Sequence, residues 1–337
     1  MGKKNEATKD RYELKKPAHD PSYRRQFGNY PAKKYAKGTP AQIRLEFEFE
    51  GGATQFIDIS MALSSINRRM ARQGCYYYIN SVELYNNEDA FVDIHTLPDT
   101  WVTRSAYRRA KGIFDKMNEL VLENNVTLVP KYHDFKVYMN NLHRLTGSAS
   151  PSLHYINAAA TAYAPDEWAY SQIVSADDDG DAIQQADNFY LHMLGAHAGA
   201  ASNWESVGVI RSYADTRVEP DTSGSPVLPS TVAADPLLNV FDYSSEEQFN
   251  DIVTRLDEDN DQTPYDANSY VGELSGSMQH VGRLVTTATL GRKDQIDGFC
   301  APCGLICVDP QATATAYRIV INLAPGTYHG VYAERMV

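Results

Sequence analysis

Three of the four cysteines, Cys300, Cys303 and Cys307, stand close together, while Cys75 stands alone. Two thiolates three positions apart can hold one zinc ion, but a structural zinc site needs four ligands. No second Cys-x-x-Cys or paired histidine follows at finger-like spacing, although His280 or His329 could contribute a ligand. The spacing therefore favours buried strand cysteines over a zinc site, and so few cysteines predict reduced thiols rather than a disulfide framework.

Two acidic runs, at residues 177–181 and 257–261, gather the hard oxygen ligands that calcium prefers. Neither completes an EF-hand loop, because Gln262 stands where that loop needs Gly and Asn268 stands where it needs a bidentate Glu. We interpret both runs as solvated acidic loops and expect no cofactor. The candidates for a structural calcium ion, which copies of the chain could share, are Asp257, Asp259 and Asp261.

Catalytic signatures are not evident in the sequence. It has no Gly-x-Ser-x-Gly elbow, no His-Glu-x-x-His, no Walker loop and no Gly-x-Gly-x-x-Gly after a strand. His192 and His197 lie five apart in a segment rich in Gly and Ala, and we interpret them as core or surface histidines. The chain is therefore predicted not to be an enzyme.

The amino-terminal segment, residues 1–40, differs in charge from the rest of the chain. It has eleven basic and four acidic side chains, a net charge of +7, so in a chain of net charge −12 the other 297 residues carry −19. Four tyrosines are interleaved with the cations, which suits contact with phosphates and exposed bases. We predict that this basic arm binds a nucleic acid through Lys3, Lys4, Lys9, Arg11, Lys15, Lys16, Arg24, Arg25, Lys33, Lys34 and Lys37.

The elements that follow the arm read mainly as strands. Residues 43–50 alternate apolar and charged side chains, which places Ile43, Leu45, Phe47 and Phe49 on one face of a strand. Further strands are predicted at 54–59, 75–85, 90–95, 168–174, 188–194, 206–213, 281–290, 298–308, 317–323 and 328–333. The last two are separated by a turn at 324–327.

Helices are few. Spacings of three and four predict an amphipathic helix at 103–122, Ser60 is expected to cap a short helix that runs through Arg72, and a capping box at 244–247 opens a helix through about Leu256.

With 43% hydrophobic residues in 337, the chain can bury a large core. We predict an all-β fold, an antiparallel jelly-roll β-sandwich with helical and loop insertions and an extended amino-terminal arm. Its parts are the arm at 1–40 and a shell domain at 41–337, with candidate projecting loops within 218–270. The alternative architecture is a double jelly roll. Two barrels need nearly the whole chain as strands, and the predicted helices leave too few residues for them.

Three segments bear on the predicted jelly-roll fold: residues 206–213 (SVGVIRSY), 235–242 (DPLLNVFD) and 298–306 (GFCAPCGLI). They resemble stretches of capsid proteins from small circular single-stranded DNA viruses of the CRESS type. The resemblance covers chiefly the carboxyl-terminal half of the chain. It implies a self-assembling icosahedral shell protein whose arm lies on the genome side. The arm departs from the family pattern, since arms of that type are usually denser in Arg.

We therefore expect a viral major capsid protein that forms homo-oligomeric shells around a single-stranded DNA genome, located in the virion after assembly inside the host cell. The alternative is a β-sandwich attachment or glycan-binding module that uses the loops at 163–190 and 257–270, and a hydrolase with a dispersed site ranks last. No stretch approaches the roughly 20 apolar residues that span a bilayer, and the first residues match neither a secretory signal nor a myristoylation site. No membrane partner is expected.

Overall fold

The computed structural model describes residues 41–49, 51–124, 132–146, 152–153, 163, 166–175, 187–200, 203–216, 270–289, 291–311 and 316–337. The strands are β1 (Arg44–Phe49), β2 (Gln55–Asp58), β3 (Cys75–Tyr85), β4 (Ala90–Thr96), β5 (Tyr138–Asn140), β6 (Ser152–Leu153), β7 (Gln172–Ser175), β8 (Asp187–Leu194), β9 (Ala198–Ala200), β10 (Asn203–Gly208), β11 (Gln279–Thr286), β12 (Lys293–Pro302), β13 (Leu305–Pro310), β14 (Tyr317–Leu323), β15 (Pro325–Tyr328) and β16 (Ala333–Arg335). The helices are α1 (Ile59–Asn67), α2 (Trp101–Asn124), α3 (Asn141–Thr146) and α4 (Val209–Asp215).

Two antiparallel sheets form the body. Sheet one has the order β12-β3-β14-β1-β6, with β16 also beside β3, and sheet two has the order β11-β4-β13-β2. The alternation of β1 is confirmed: Leu45, Phe47 and Phe49 are buried, while the residues between them lie on the other face of sheet one. The coarse prediction of an all-β fold built mostly of antiparallel sheets is therefore confirmed.

Eight of these strands pair in a nested order. β1 pairs with β14, β2 with β13, β3 with β12 and β4 with β11, and every pair is antiparallel. Within this set of eight, strands β1 to β4 thus pair with strands β11 to β14 in reverse order. Two further antiparallel pairs, β14 with β3 and β13 with β4, complete the two sheets.

The main hydrophobic core contains inward side chains of both sheets. Sheet one contributes Phe47, Leu84 and Ile319, and sheet two contributes Ile94 and Ile306, all almost fully buried. Strands of alternating character bury one face against the partner sheet, and this burial is the main stabilising term of such a sandwich.

The chain between β4 and β11 covers the outer face of sheet two. Helix α2 and a third sheet, of order β5-β8-β10-β9 with β7 beside β8, pack over it. Their shared core includes Phe56 of β2, Tyr107 of α2 and Met193 of β8. In this third sheet β8 is parallel to both β5 and β10, so the antiparallel prediction does not extend to it.

Three local predictions are wrong. The cap of α1 is Asp58 rather than Ser60, and the helix ends at Asn67 because Arg68 adopts a left-handed conformation with φ of 51°. Residues 206–213 change from strand to helix at Val209, because Val209 and Ile210 are buried in the second core. The predicted strand at 298–308 is broken by a turn at Cys303 and Gly304, both with positive φ.

The end of the chain also departs from prediction. The predicted turn at 324–327 overlaps β15, and residues 328–333 lie largely between β15 and β16. Helix α2 confirms the amphipathic helix predicted at 103–122, with two extra residues at each end. Within the described residues, no helix has the length and apolar character needed to span a membrane.

Candidate functional site

The residues predicted to bind nucleic acid all lie outside the described residues. This holds for Lys3, Lys4, Lys9, Arg11, Lys15, Lys16, Arg24, Arg25, Lys33, Lys34 and Lys37, and also for the calcium candidates Asp257, Asp259 and Asp261. The first described strand after the arm is β1, which begins at Arg44. The described chain therefore begins in sheet one, and the outer face of that sheet is the surface next to this beginning.

That outer face, called here the polar face, consists of the side chains of β1, β14, β3 and β12 that point away from the main core. The cross-strand register sets them in rows, with Glu48 opposite Arg318 and Arg318 opposite Tyr85. A groove of about 700 Å³ runs along β1 and β14 on this face and reaches the ends of β3 and β12. Its charged lining residues are Arg44, Glu46, Glu48, Arg292 and Arg318.

Arg318 holds the two carboxylates of β1. Its guanidinium donates to Glu46 at 2.7 Å and to Glu48 at 2.8 Å. Because Arg318 and Glu48 are solvent-accessible, these pairs contribute at most about 1 kcal/mol each to stability. Their consequence is electrostatic: the two acidic side chains nearest the arm are already paired within the sheet.

Glu83, on the neighbouring strand β3, is also held by donors. The hydroxyl of Tyr85 donates to it at 2.7 Å and the amide of Asn322 at 3.1 Å, while the ammonium of Lys293 lies 3.3 Å away. Partial burial by itself raises the pKa of Glu83, but the hydrogen bonds from Tyr85 and Lys293 outweigh it and the net pKa is lowered. Glu83 therefore stays ionised and matched by its neighbours.

Two guanidinium groups in the groove are left over. Arg44 and Arg292 are exposed, and no carboxylate of the described residues lies within ion-pair distance of either, although the charge of Arg44 helps to lower the pKa of Glu83. A guanidinium presents a planar fork of donors that matches phosphate oxygens. These two guanidinium groups can therefore donate hydrogen bonds to phosphate or carboxylate groups in the groove near the start of β1.

Comparisons with models of protein families, with curated proteins and with solved structures found no match. The observations that bear on function are therefore the strand pairing, the charge distribution and the groove.

Histidines of the third sheet serve the packing. His192 of β8 is fully buried, with Nδ1 2.7 Å from the hydroxyl of Ser206 and Nε2 3.0 Å from the carbonyl of Ala196. Burial lowers the pKa of His192 to about 4, so the ring is neutral near pH 7. Ser206 is equally buried and has no access for a substrate, which makes the pair a satisfied core contact rather than an activated nucleophile. His197, partly buried, accepts a hydrogen bond from the backbone of Gly208 at 3.0 Å.

The cysteines lie in or beside the strands. Cys75, Cys303 and Cys307 are buried and Cys300 is partly buried, and all four are free thiols. Burial raises the pKa of Cys307 to about 12 and that of Cys300 to about 11, which keeps both thiols protonated. Cys303 lies in the turn between β12 and β13 rather than in a strand. In the part of the chain that the structure describes, no group of three or more His, Cys, Asp or Glu could hold a metal ion.

A buried polar network that sequence reasoning missed is centred on Asp58, the residue that caps α1. One carboxylate oxygen accepts from the backbone N–H groups of Ser60 and Met61, and also from the Ser60 hydroxyl. The other accepts from the side chains of Gln73, Trp168 and Tyr170, at 3.0, 3.3 and 3.4 Å. Burial raises the pKa of Asp58, although the hydrogen bonds oppose this.

This network joins the sandwich to the segment inserted between β4 and β11. Gln73 also donates to the carbonyl of Val137 at 3.0 Å and accepts from its N–H at 2.6 Å. The ammonium of Lys136 lies 4.6 Å from the ring of Trp168. The only sequence signal was an Asp just before a helix, and that signal was assigned to Ser60 instead.

Proposed function

We propose that this protein is a viral major capsid protein, which assembles into an icosahedral shell and encloses a nucleic-acid genome. The observation that carries the proposal is the nested antiparallel pairing of eight strands in two facing sheets. An eight-stranded sandwich of two Greek keys is a jelly roll, an architecture of many viral capsid proteins. Fold alone does not fix function, so the charge distribution has to agree with it.

The pairing supports one jelly roll with a large insertion. A long antiparallel ribbon, with its first half paired to its second, gives the observed order when it wraps into two sheets. The tip of that ribbon is the connection between β4 and β11, and the inserted α2 and third sheet occupy that connection. This supports the single-barrel architecture over two barrels, because the third sheet has parallel pairs and a different strand order.

The charge distribution supports a genome on the side of the polar face. The basic arm joins the body at β1, and Arg44 and Arg292 line the groove beside it. Cations that contact phosphates release condensed counterions, so binding of the genome is favoured at low salt. The remaining chain, with its charge of −19, keeps nucleic acid away from surfaces remote from the arm. The resemblance described above favours single-stranded DNA as the packaged polymer.

Electron microscopy of the purified protein tests the proposal. We expect closed shells of uniform diameter that contain nucleic acid, read from the ratio of absorbance at 260 and 280 nm. A variant without residues 2–40 keeps its β structure but is expected to form shells without nucleic acid, or no shells. The matched control replaces the eleven arm cations by Gln and keeps the arm's length. It separates the effect of the arm's charge from any role of the arm in connecting neighbouring subunits.

Two outcomes contradict the proposal. A full-length protein that stays monomeric at every concentration and ionic strength removes the shell function and favours an attachment or glycan-binding module. Shells of the truncated protein with normal nucleic-acid content remove the role assigned to the arm.

A further inference from the structure

Helix α2 extends beyond the core on which it packs. It has 24 residues, a length of about 36 Å. Val102, Ala106, Tyr107 and Phe114 bury its first half in the second core. After Phe114 no side chain of residues 115–123 is buried. This second half is only partly covered: Met117 packs, partly buried, against the second core, and the side chain of Asn118 lies 3.2 Å from Nε2 of His133.

Apolar side chains continue along this second half. Ile113, Leu120 and Val121 are 49%, 52% and 55% exposed, and Met117 is partly exposed. Their spacings of three, four and seven place them on one side of the helix. Exposed large apolar side chains grouped in this way mark an interaction surface.

The stripe borders an apolar groove between α2, α4 and the third sheet. The groove has a volume of about 120 Å³ and is lined mainly by Ala106, Ala110, Ile113, Phe189, Val207 and Tyr213. An apolar cavity of about 150 Å³ holds a molecule the size of benzene. The groove therefore has room for one apolar side chain from outside.

The charges along α2 are self-complementary. Arg108 and Arg109 are exposed in its first half, whereas Glu119 and Glu123 are exposed in its second half. Lys116 and Glu119 already pair within the helix at 2.9 Å. Arg109 and Glu123 form no ion pair with another described residue, and they match each other only if a second helix runs antiparallel beside the first.

We propose that α2 of a second copy of this chain packs antiparallel on this stripe, about a two-fold axis between Lys116 and Met117. In that register Ile113 faces Leu120 of the other copy at the mouth of the groove, and Arg109 faces Glu123. This inference rests on the proposed self-assembly and names one of its subunit contacts. A single pair of helices buries less than the roughly 1,200 Å² of a stable interface, so the contact acts together with others in a shell.

Disulfide trapping of assembled protein tests the geometry. Met117→Cys places a thiol at the axis, so mild oxidation is expected to convert most of the protein to covalent dimers. The matched control is Asp115→Cys, on the opposite side of the same helix, and it should cross-link no more than wild type, whose thiols are buried or partly buried. Equal cross-linking of the two variants overturns the proposed register.

Charge reversal tests the pairing separately. Arg109→Glu and Glu123→Arg each place like charges together, and we expect each to lower the yield of shells about tenfold. The double variant should restore the yield, while unchanged circular dichroism shows that these exposed sites do not affect folding. If wild type forms shells but neither single variant lowers their yield, the helix contact is wrong and the capsid function stands. If wild type forms no shells, the proposed function itself fails.

Discussion

Asp58 connects the sandwich to the segment that is inserted between β4 and β11. Its carboxylate caps α1, and it receives donors from Trp168 and Tyr170 of the inserted segment, more than 100 positions away. Each of its two oxygens accepts hydrogen bonds from at least two N–H groups. These groups can only donate and cannot act as acceptors. A buried donor left without an acceptor costs about 1–3 kcal/mol. The carboxylate is therefore important to the junction although it is not a catalytic group.

Asp58→Asn tests this role. Whichever way the amide is turned, its NH2 group faces at least two donors, so we expect the free energy of unfolding to fall by about 2–4 kcal/mol. Urea denaturation of the unassembled protein measures the change. The matched control is Asp297→Asn at an exposed position of β12, which should change the free energy by less than about 0.5 kcal/mol. Equal stability of the two variants would contradict the network.

Buried histidines make stability depend on pH. Burial lowers the pKa of His143 to about 3 and that of His192 to about 4, against 6.5 in an unfolded chain. Below pH 6.5 the unfolded state binds protons that the folded state does not bind. The stability that these neutral rings retain is thus present above pH 6.5 and is lost as the pH falls towards 4, by roughly 1.4 kcal/mol per pH unit for each ring.

His143→Asn isolates one of these rings. His143 accepts a hydrogen bond from the N–H of Met139 at 3.1 Å, and an Asn oxygen can replace that acceptor without binding a proton. We expect the slope of unfolding free energy against pH, between 6.5 and 4.5, to fall by roughly 1.4 kcal/mol per pH unit. His133→Asn removes an exposed histidine as a control. The same change of slope in both variants would exclude the buried ring as its source.

At the scale of elements, tight turns fix how strands cross between sheets. β12 belongs to sheet one and β13 to sheet two, and only Cys303 and Gly304 separate them. Both residues have positive φ, 57° and 64°, and the N–H of Gly304 donates to the carbonyl of Ala301 at 3.1 Å. A Cβ on Gly304 would lie 2.8 Å from the ring of Tyr77. The turn therefore requires glycine at that position.

Two alanine substitutions should have opposite effects. Gly304→Ala is expected to lower the free energy of unfolding by about 1–3 kcal/mol, because it adds a strained φ and a contact with a buried ring. Gly112→Ala lies in the exposed middle of α2, where an added Cβ meets nothing within 4 Å, and is expected to raise it by about 0.5–1 kcal/mol. Urea denaturation of both variants checks the signs, and a stabilising Gly304→Ala would refute the account of the turn.

For the whole molecule the decisive feature is the opposition of charge between arm and body. The arm carries +7 and the other 297 residues carry −19. Sheet two is covered on both faces, whereas sheet one has an accessible groove with charged lining residues along β1 and β14. This asymmetry gives the molecule two chemically different sides, and it is one of the observations that support the proposed function.

The salt dependence of DNA binding measures how many basic side chains of the arm contact phosphates. If all eleven basic side chains contact phosphates of a single strand, the logarithm of the binding constant falls with the logarithm of salt concentration with a slope of about −8. Fluorescence anisotropy with a labelled thymidine oligonucleotide, at subunit concentrations below assembly, gives this slope. For residues 41–337 alone we expect a slope of about −1.4 at most, from Arg44 and Arg292 of the groove. Equal slopes for the full and shortened chains would place the binding cations in the body.

Features that depend on neighbouring residues could be predicted from local sequence patterns. Strict alternation at 43–50 predicted β1 and its buried face, periodic spacing predicted α2, and a simple count of charges separated the arm from the body. The cap of α1 was misplaced by two residues, because Asp58 and Ser60 are both good capping residues. A helix at 209–215 was missed because its β-branched residues favour strands locally and their burial in the second core overrides that preference.

The pairing of the strands and the junction between the inserted segment and the sandwich depend on contacts between distant parts of the chain. Glu48 and Arg318 are 270 positions apart, and no local pattern specifies that they meet. The same is true of the groove beside Arg44 and of the donors around Asp58, whose partners come from distant parts of the chain. Side-chain periodicity reports which face of an element is buried, whereas the partner of that face depends on the packing of the whole chain.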